Sequence, residues 1–277
     1  MDRNVQFRSL QSVSLPTTRD SDADPSLTHL NVATTATDAA LAAPTVNTPH
    51  GGATTMADTS LVTDIPLEDA TLEGELVVPG SASGLVVFAH GSGSSRHSPR
   101  NNVVAETVRE RGLGTLLFDL LTEPEDRDRE NRFDIPLLTA RLVATTAWVR
   151  DHPAVETDSI GYFGSSTGAA AALRAAARSE TSIDAVVSRG GRVDLASEVV
   201  GGEGAREDGG TVDAPTLLVV GGEDESVLAV NREVYDALSC ERELQVVEGA
   251  GHLFEGEGEL EAVADHAADW FATHLGP

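Results

Sequence analysis

The chain has 277 residues, with 45 Asp and Glu against 19 Lys and Arg, and a formal net charge of −26. No position holds lysine, so every basic side chain counted there is an arginine. A surface this acidic repels nucleic acid and anionic membrane, which argues against both as partners.

Residues 1–61 read as a segment apart. "VATTATDAALAAPTVNTPHGGATT" is rich in Thr, Ala, Pro and Gly and poor in large apolar side chains. Such a stretch buries too little surface to offset the entropy of ordering it. Met56 is the only methionine besides Met1, and "MADTSLVTDIPLEDATLEGEL" resembles a natural protein start. The expectation is a disordered tail, or a start assigned too early, followed by a domain over 62–277.

From residue 62 onward, strand and helix alternate. "TLEGELVVP" and "GLVVFAHG" are predicted strands joined through "GSAS"; "NNVVAETVRERG" is a helix and "LGTLLFDLL" a buried strand. "IPLLTARLVATTAWVRDHP" places Ile135, Leu138, Leu142 and Val149 on one helical face and stops at Pro153. "ETDSIGYFG" is a short buried strand, and "TGAAAALRAAAR" after it is a strong helix former. "SIDAVVSRGG", "PTLLVVGG" and "ERELQVVEGAG" are further strands. "VLAVNREVYDAL" is a helix, and the last helix turns Leu260, Val263, Ala267, Trp270 and Phe271 inward. This alternation predicts an α/β fold: one domain of roughly 215 residues with a mostly parallel sheet and helices on both faces. In open sheets of this kind the site lies beyond the carboxyl ends of the strands.

Four of those ends carry polar, glycine-flanked motifs. Gly164-Ser165-Ser166-Thr167-Gly168 fits G-x-S-x-G with Ser166 central, a turn that lifts the hydroxyl above the sheet and aims the next helix's first amides at a substrate. Taken alone, the pentapeptide also fits a plain connecting loop. "GLVVFAHG" runs into His90-Gly91-Ser92-Gly93-Ser94-Ser95, "LLVVGGEDESV" into Glu223-Asp224-Glu225, and "LQVVEGAGHLF" into Gly251-His252. Serine, then carboxylate, then histidine is the chain order of α/β-hydrolases. The chemistry needs a base to take the serine proton and a carboxylate to orient and stabilise that base.

These motifs carry a resemblance. From about residue 65 to the end, "HGSGSSRHSPRN", "NRFDIPLLTARL", "GYFGSSTGAAAAL", "VVSRGGRVDLA", "LLVVGGEDESV" and "GAGHLFE" resemble an α/β-hydrolase of the dienelactone-hydrolase-like group. Dienelactone hydrolases proper use cysteine at the elbow; Ser166 stands there in this sequence, so the lactone substrate does not simply carry over. Some relatives are fused to a phosphoribosyltransferase, but the first sixty residues contain no acidic-pair phosphate loop of that kind.

The candidate catalytic residues are Ser166, Asp224 and His252, with Ser165 as a lesser rival nucleophile and Glu223 and Glu225 as rival acids. The resemblance favours Asp224, because Gly221-x-x-Asp224-x-x-Val227 matches the family's turn. The oxyanion hole is expected from the amides of Thr167 and of Ser92 or Gly93. His90 is expected to order its glycine loop, Asp119 to be structural and Cys240 to be a packed thiol; His97 belongs either to a solvated loop or to the pocket rim. Arg189 and Arg192, in "SRGGRVDL", either neutralise nearby carboxylates or clamp a carboxylate or phosphate of the substrate; Arg189 is the better candidate clamp. No spacing suggests a metal site, and none of this chemistry needs a cofactor.

The expected function is serine hydrolysis of small carboxylic esters or lactones; the rival reading is a non-catalytic binding or scaffold protein on the same fold. Only about two dozen residues separate Gly191 from Pro215, and "GGEGAREDGG" among them is too charged for a greasy lid, so little or no cap domain is expected. At molar salt the Debye length falls to ~3 Å and surface repulsion is largely screened, so the acidic balance suits the salt-rich cytoplasm of a halophilic microbe. A lone cysteine, no apolar run of membrane-spanning length and no apolar core near residue 1 point to a soluble, cytoplasmic protein.

Overall fold

The computed structural model describes residues 58–178, 180–200 and 210–276. In chain order they form β1 (Thr59–Pro66), β2 (Thr71–Val78), β3 (Leu85–Ala89), α1 (Pro99–Glu110), β4 (Gly114–Phe118), α2 (Glu123–Asp126) and α3 (Ile135–Arg150). There follow β5 (Ile160–Ser165), α4 (Thr167–Ala176), β6 (Ala185–Arg189), α5 (Ser197–Val200), β7 (Thr216–Gly221), α6 (Glu225–Ala237), β8 (Arg242–Val247) and α7 (Glu259–Leu275). The strands make one eight-stranded sheet in the order β1-β2-β4-β3-β5-β6-β7-β8. β3 to β8 pair in parallel, whereas β1 pairs antiparallel with β2, and β2 with β4. The expected α/β-hydrolase fold, mostly parallel and covered on both faces, is the one observed.

Composition accounts for the layering. β3, β4, β5, β6 and β7 are buried along their whole lengths, as befits parallel strands covered on two sides. One face packs on α3, α4 and α6 through Tyr162, Val186 and Leu218, and the other on α1 and α7 through Phe88, Phe163 and Val187. The α3 face read from the sequence, Ile135, Leu138, Leu142 and Val149, is buried, and Val263, Ala267 and Phe271 of α7 likewise. Thr146 Oγ1 meets the buried Tyr162 hydroxyl at 2.6 Å, which satisfies a phenol the core would otherwise strand.

One local feature differs from the sequence reading and others go beyond it. β1 starts at Thr59, inside the stretch 1–61 read as a segment apart, and Asp58 Oδ1 accepts from the Gly80 amide at 2.9 Å. Residues 1–57, including Met56, lie outside the described residues. β2 and β3, consecutive in sequence, are separated in the sheet by β4. Finally, α2 and a single 3₁₀ turn at Asn131–Phe133 occupy a stretch for which no element is predicted. α2 forms through a capping box: Thr122 Oγ1 accepts from the Glu125 amide while Glu125 accepts from the Thr122 amide. Much of the charged loop "GGEGAREDGG", from 201 to 209, lies outside the described residues; before it the chain forms only a 3₁₀ turn at Val193–Ala196 and α5.

Candidate active site

Ser166 follows the last residue of β5 and precedes the first residue of α4, with φ 52° and ψ −119°. A non-glycine residue in this region costs on the order of 1–3 kcal/mol and persists only where its surroundings hold it. Here the Ser166 amide donates to the Arg189 carbonyl at 3.1 Å, and the Ser166 carbonyl accepts from the amides of Ala169 and Arg192. The flanking glycines let the elbow close. A Cβ on Gly168 would stand 2.2 Å from the Ala89 carbonyl oxygen and 2.5 Å from that of His90, and one on Gly164 would stand 2.5 Å from the Ala169 Cα. Gly168→Ala should therefore destabilise the fold by about 1–3 kcal/mol or more, because the obstructing atoms are backbone. A lower urea midpoint in equilibrium unfolding checks this; an unchanged midpoint contradicts it.

The turn separates the two serines. Ser166 is half-buried, whereas Ser165 is 2% exposed and ends the strand. Asp224 is the residue before α6, and its Oδ2 lies 2.6 Å from His252 Nδ1. Glu223 and Glu225 are exposed. The Asp224 side chain is 13% exposed and that of His252 40%, so the carboxylate is sheltered while the imidazole faces outward. β5, β6, β7 and β8 are neighbours in that order, so Ser166, Asp224 and His252 leave the same end of one sheet. The end of β6 ties them together: Arg189 holds the Ser166 amide, and the Cβ position of the next residue, Gly190 (φ +52°), lies 3.4 Å from His252 Cε1 and Nδ1.

Thr167 opens α4, so its amide has no partner within the helix. Thr167, Ser92 and Gly93 line one small recess together with Arg132. Arg132 anchors on the carbonyl and carboxylate of Asp126, leaving Nη1 3.8 Å from the Cβ position of Gly93. The sequence reading named "NRFDIPLLTARL" without singling out Arg132; only the fold of α2 and the turn after it brings that guanidinium to the recess. His97 is exposed, its amide donating to Ser95 Oγ.

The remaining polar residues fall into place. Leu120's amide donates to His90 Nε2 at 3.0 Å and His90 Nδ1 meets the Gly91 carbonyl at 2.9 Å, so the ring clamps the glycine loop to the end of β4. Burial pushes its pKa down, which keeps it neutral. Asp119 accepts from the Arg96 amide and pairs with the Arg96 guanidinium, which also reaches Glu73. These residues line a cavity of about 460 Å³ to which Ser166, Asp224 and His252 do not contribute. Arg192 makes a bidentate pair with Asp194 at 2.8 and 2.9 Å, the counter-ion role weighed for it. Arg189 makes no such pair: it is 8% exposed, and its Nε and Nη1 lack hydrogen-bond partners among the described residues. Among those residues no cluster of His, Cys, Asp or Glu is arranged to hold a metal ion, and no helix is long and apolar enough to cross a membrane.

No protein-family model matches the sequence. Two proteins of Mycobacterium tuberculosis, from strains CDC 1551 / Oshkosh and ATCC 25618 / H37Rv, are each 49% identical over 221 residues, and each bears the name "Putative phosphoribosyl transferase". The match takes in 76% of this chain but 48% of theirs, so the chain spans about half the length of these curated relatives. Two solved structures share the fold at low identity. Est1E from Butyrivibrio proteoclasticus is 16% identical, with a TM-score of 0.63 over 78% of this chain and 99% of that one. Esterase Pf2001 from Pyrococcus furiosus is 19% identical, with a TM-score of 0.60 over 79% and 94%. The crystal structure of a dienelactone hydrolase from Anabaena variabilis is far nearer in sequence: 46% identical, TM-score 0.73, covering 79% of this chain and 99% of its own. On that identity and coverage, and with the eight-stranded sheet already described, the chain belongs to the dienelactone hydrolase family of the α/β-hydrolase fold.

Proposed function

We propose that this protein is a serine hydrolase that cleaves small carboxylic esters or lactones through an acyl-enzyme. The 2.6 Å approach of His252 Nδ1 to Asp224 Oδ2, on a sheet end shared with a half-exposed serine at a strained elbow, carries the reading. With Nδ1–H donating to the carboxylate, the lone pair on His252 Nε2 is free to act as a base. Ser166 Oγ attacks the ester carbonyl carbon as Nε2 takes its proton. The oxyanion is received by the amide of Thr167 and one from Ser92 or Gly93. Nε2 then passes the proton to the departing alkoxide, the C–O bond breaks, and the acyl group remains on Ser166. Water attacks the acyl carbon with His252 again accepting a proton, which returns to Ser166 Oγ as the acid leaves. In a lactone the leaving alkoxide stays tethered, so the product is a ring-opened hydroxy acid.

Arg189 and His97 are the proposed substrate contacts, Arg189 for an anionic group. The name carried by the mycobacterial relatives belongs to chains of about twice the matched length. The reading is tested by steady-state assay of the full chain, in buffer of high ionic strength, on short-chain aryl esters, lactones and thioesters. The expected result is saturable turnover of at least one ester or lactone. No turnover of any member, by folded protein, would favour the binding or scaffold role instead.

A further inference from the structure

One charge near the site has no counter-ion among the described residues. Arg189 is buried, and its Nε and Nη1 find no hydrogen-bond partner among the described residues, acidic though the chain is. Along β6, alternate side chains share a face, and Ala185 and Val187 join the core packed on α1 and α7. Arg189 continues that row at the carboxyl end of the strand, its guanidinium carbon 5.8 Å from the centre of the Phe254 ring. Burial first, and then the charge of Arg100, lower its pKa to about 10, so it stays protonated at neutral pH. A desolvated, unpaired cation is costly to keep, which points to an anion arriving from outside.

A second cation stands nearby. Arg100 is the second residue of α1, a helix of 12 residues, and pairs at 3.1 Å with Glu255, the neighbour of Phe254. The Glu255 side chain is 71% exposed, so that pair is weak and readily exchanged. The amino end of α1 adds its own partial positive charge. We propose that Arg189, with Arg100 and the amino end of α1, forms a subsite for a phosphate monoester group carried by the substrate. One carboxylate would be matched by Arg189 alone; two guanidinium groups and a helix terminus match the near-double charge of a phosphate monoester at neutral pH. The guanidinium lies against Phe254, two residues after His252, so a phosphate seated there would lie on the side of the sheet end that carries the proposed base.

This deepens the substrate role proposed for Arg189 and rests on that reading, but the subsite can be measured without turnover. Inorganic phosphate is titrated calorimetrically into the full chain, into Ser166→Ala and into Arg189→Met, at pH 8 and constant ionic strength, with acetate and chloride as comparison anions. Saturable phosphate binding is expected for the first two proteins, weakened about tenfold or more by Arg189→Met. Acetate and chloride should bind at least about tenfold more weakly than phosphate, as one charge uses only part of the cluster. Without phosphate, Arg189→Met should melt no lower than the parent, because it removes an unpaired buried cation. Phosphate should raise Tm of the parent and of Ser166→Ala, and that of Arg189→Met far less at the same concentration. Arg189→Lys, which keeps the charge and loses the planar fork, should bind phosphate at intermediate strength and serves if Arg189→Met does not fold. Absence of phosphate binding, equal binding by the Arg189 variants, or acetate binding as tightly as phosphate overturns the subsite. Those results on an active esterase leave the hydrolase reading intact, whereas an inactive protein that still binds phosphate through Arg189 removes the hydrolase reading and keeps the anion site.

Discussion

Replacing Ser166 by alanine should lower kcat by about 10⁶-fold, roughly 8 kcal/mol of transition-state stabilisation, by analogy with removal of a serine nucleophile elsewhere. The loss should appear in kcat more than in KM, because the hydroxyl acts on the reacting carbon and adds little to ground-state binding. Ser165→Ala is the matched control. Ser165 is 2% exposed at the end of β5, so its removal should leave most of the activity. A Ser166→Ala variant as active as the parent on every substrate would remove the acyl-enzyme from the mechanism.

Asp224→Asn should cost on the order of 10⁴-fold in kcat while leaving the fold intact. The asparagine amide can donate a hydrogen bond to His252 Nδ1 in place of the carboxylate that now accepts one 2.6 Å away. That fixes the tautomer with the proton on Nε2, where the base should be, and withdraws the charge that stabilises the imidazolium. Glu223→Gln and Glu225→Gln, at exposed positions on either side, should change kcat by less than about twofold, as surface substitutions away from a site generally do. A loss at Glu223 or Glu225 equal to that at Asp224 would reassign the acid.

Much of this arrangement was legible in the sequence, for physical reasons. The long apolar runs of β3, β5 and β7 admit little but buried parallel strands, and each ends in glycine and polar residues where the chain leaves the sheet. Gly164 and Gly168 mark the elbow because neighbouring backbone occupies the space a Cβ would take, so the constraint is written in the residues themselves. Other features were hidden. The edge strand β1 alternates exposed and half-buried residues with only Ile65 fully buried, so its first residues resemble the Thr- and Ala-rich stretch before them. α2 has four residues, none of them buried, and owes its existence to a capping box rather than to any apolar period.

The division between Asp224 and its two glutamate neighbours also lay beyond periodicity. It depends on where the turn before α6 points a single side chain. The two arginines of "SRGGRVDL" are the sharpest case. Arg192 finds Asp194 two residues along, a pairing within reach of the sequence. Arg189 is set apart by having no counter-ion among the described residues, and that takes all of β6, α1 and the Phe254 loop to establish.

The central claim is that Ser166 is a nucleophile activated by His252. Reaction of the folded full chain with a fluorophosphonate ester, followed by intact-mass measurement and peptide mapping, tests it most directly, because the reagent phosphonylates an activated serine and needs no knowledge of the substrate. The account predicts one adduct per chain, located on Ser166, absent from Ser166→Ala and formed far more slowly in Asp224→Asn. No adduct on folded protein, or an adduct on Ser165 or any residue other than Ser166, would contradict it.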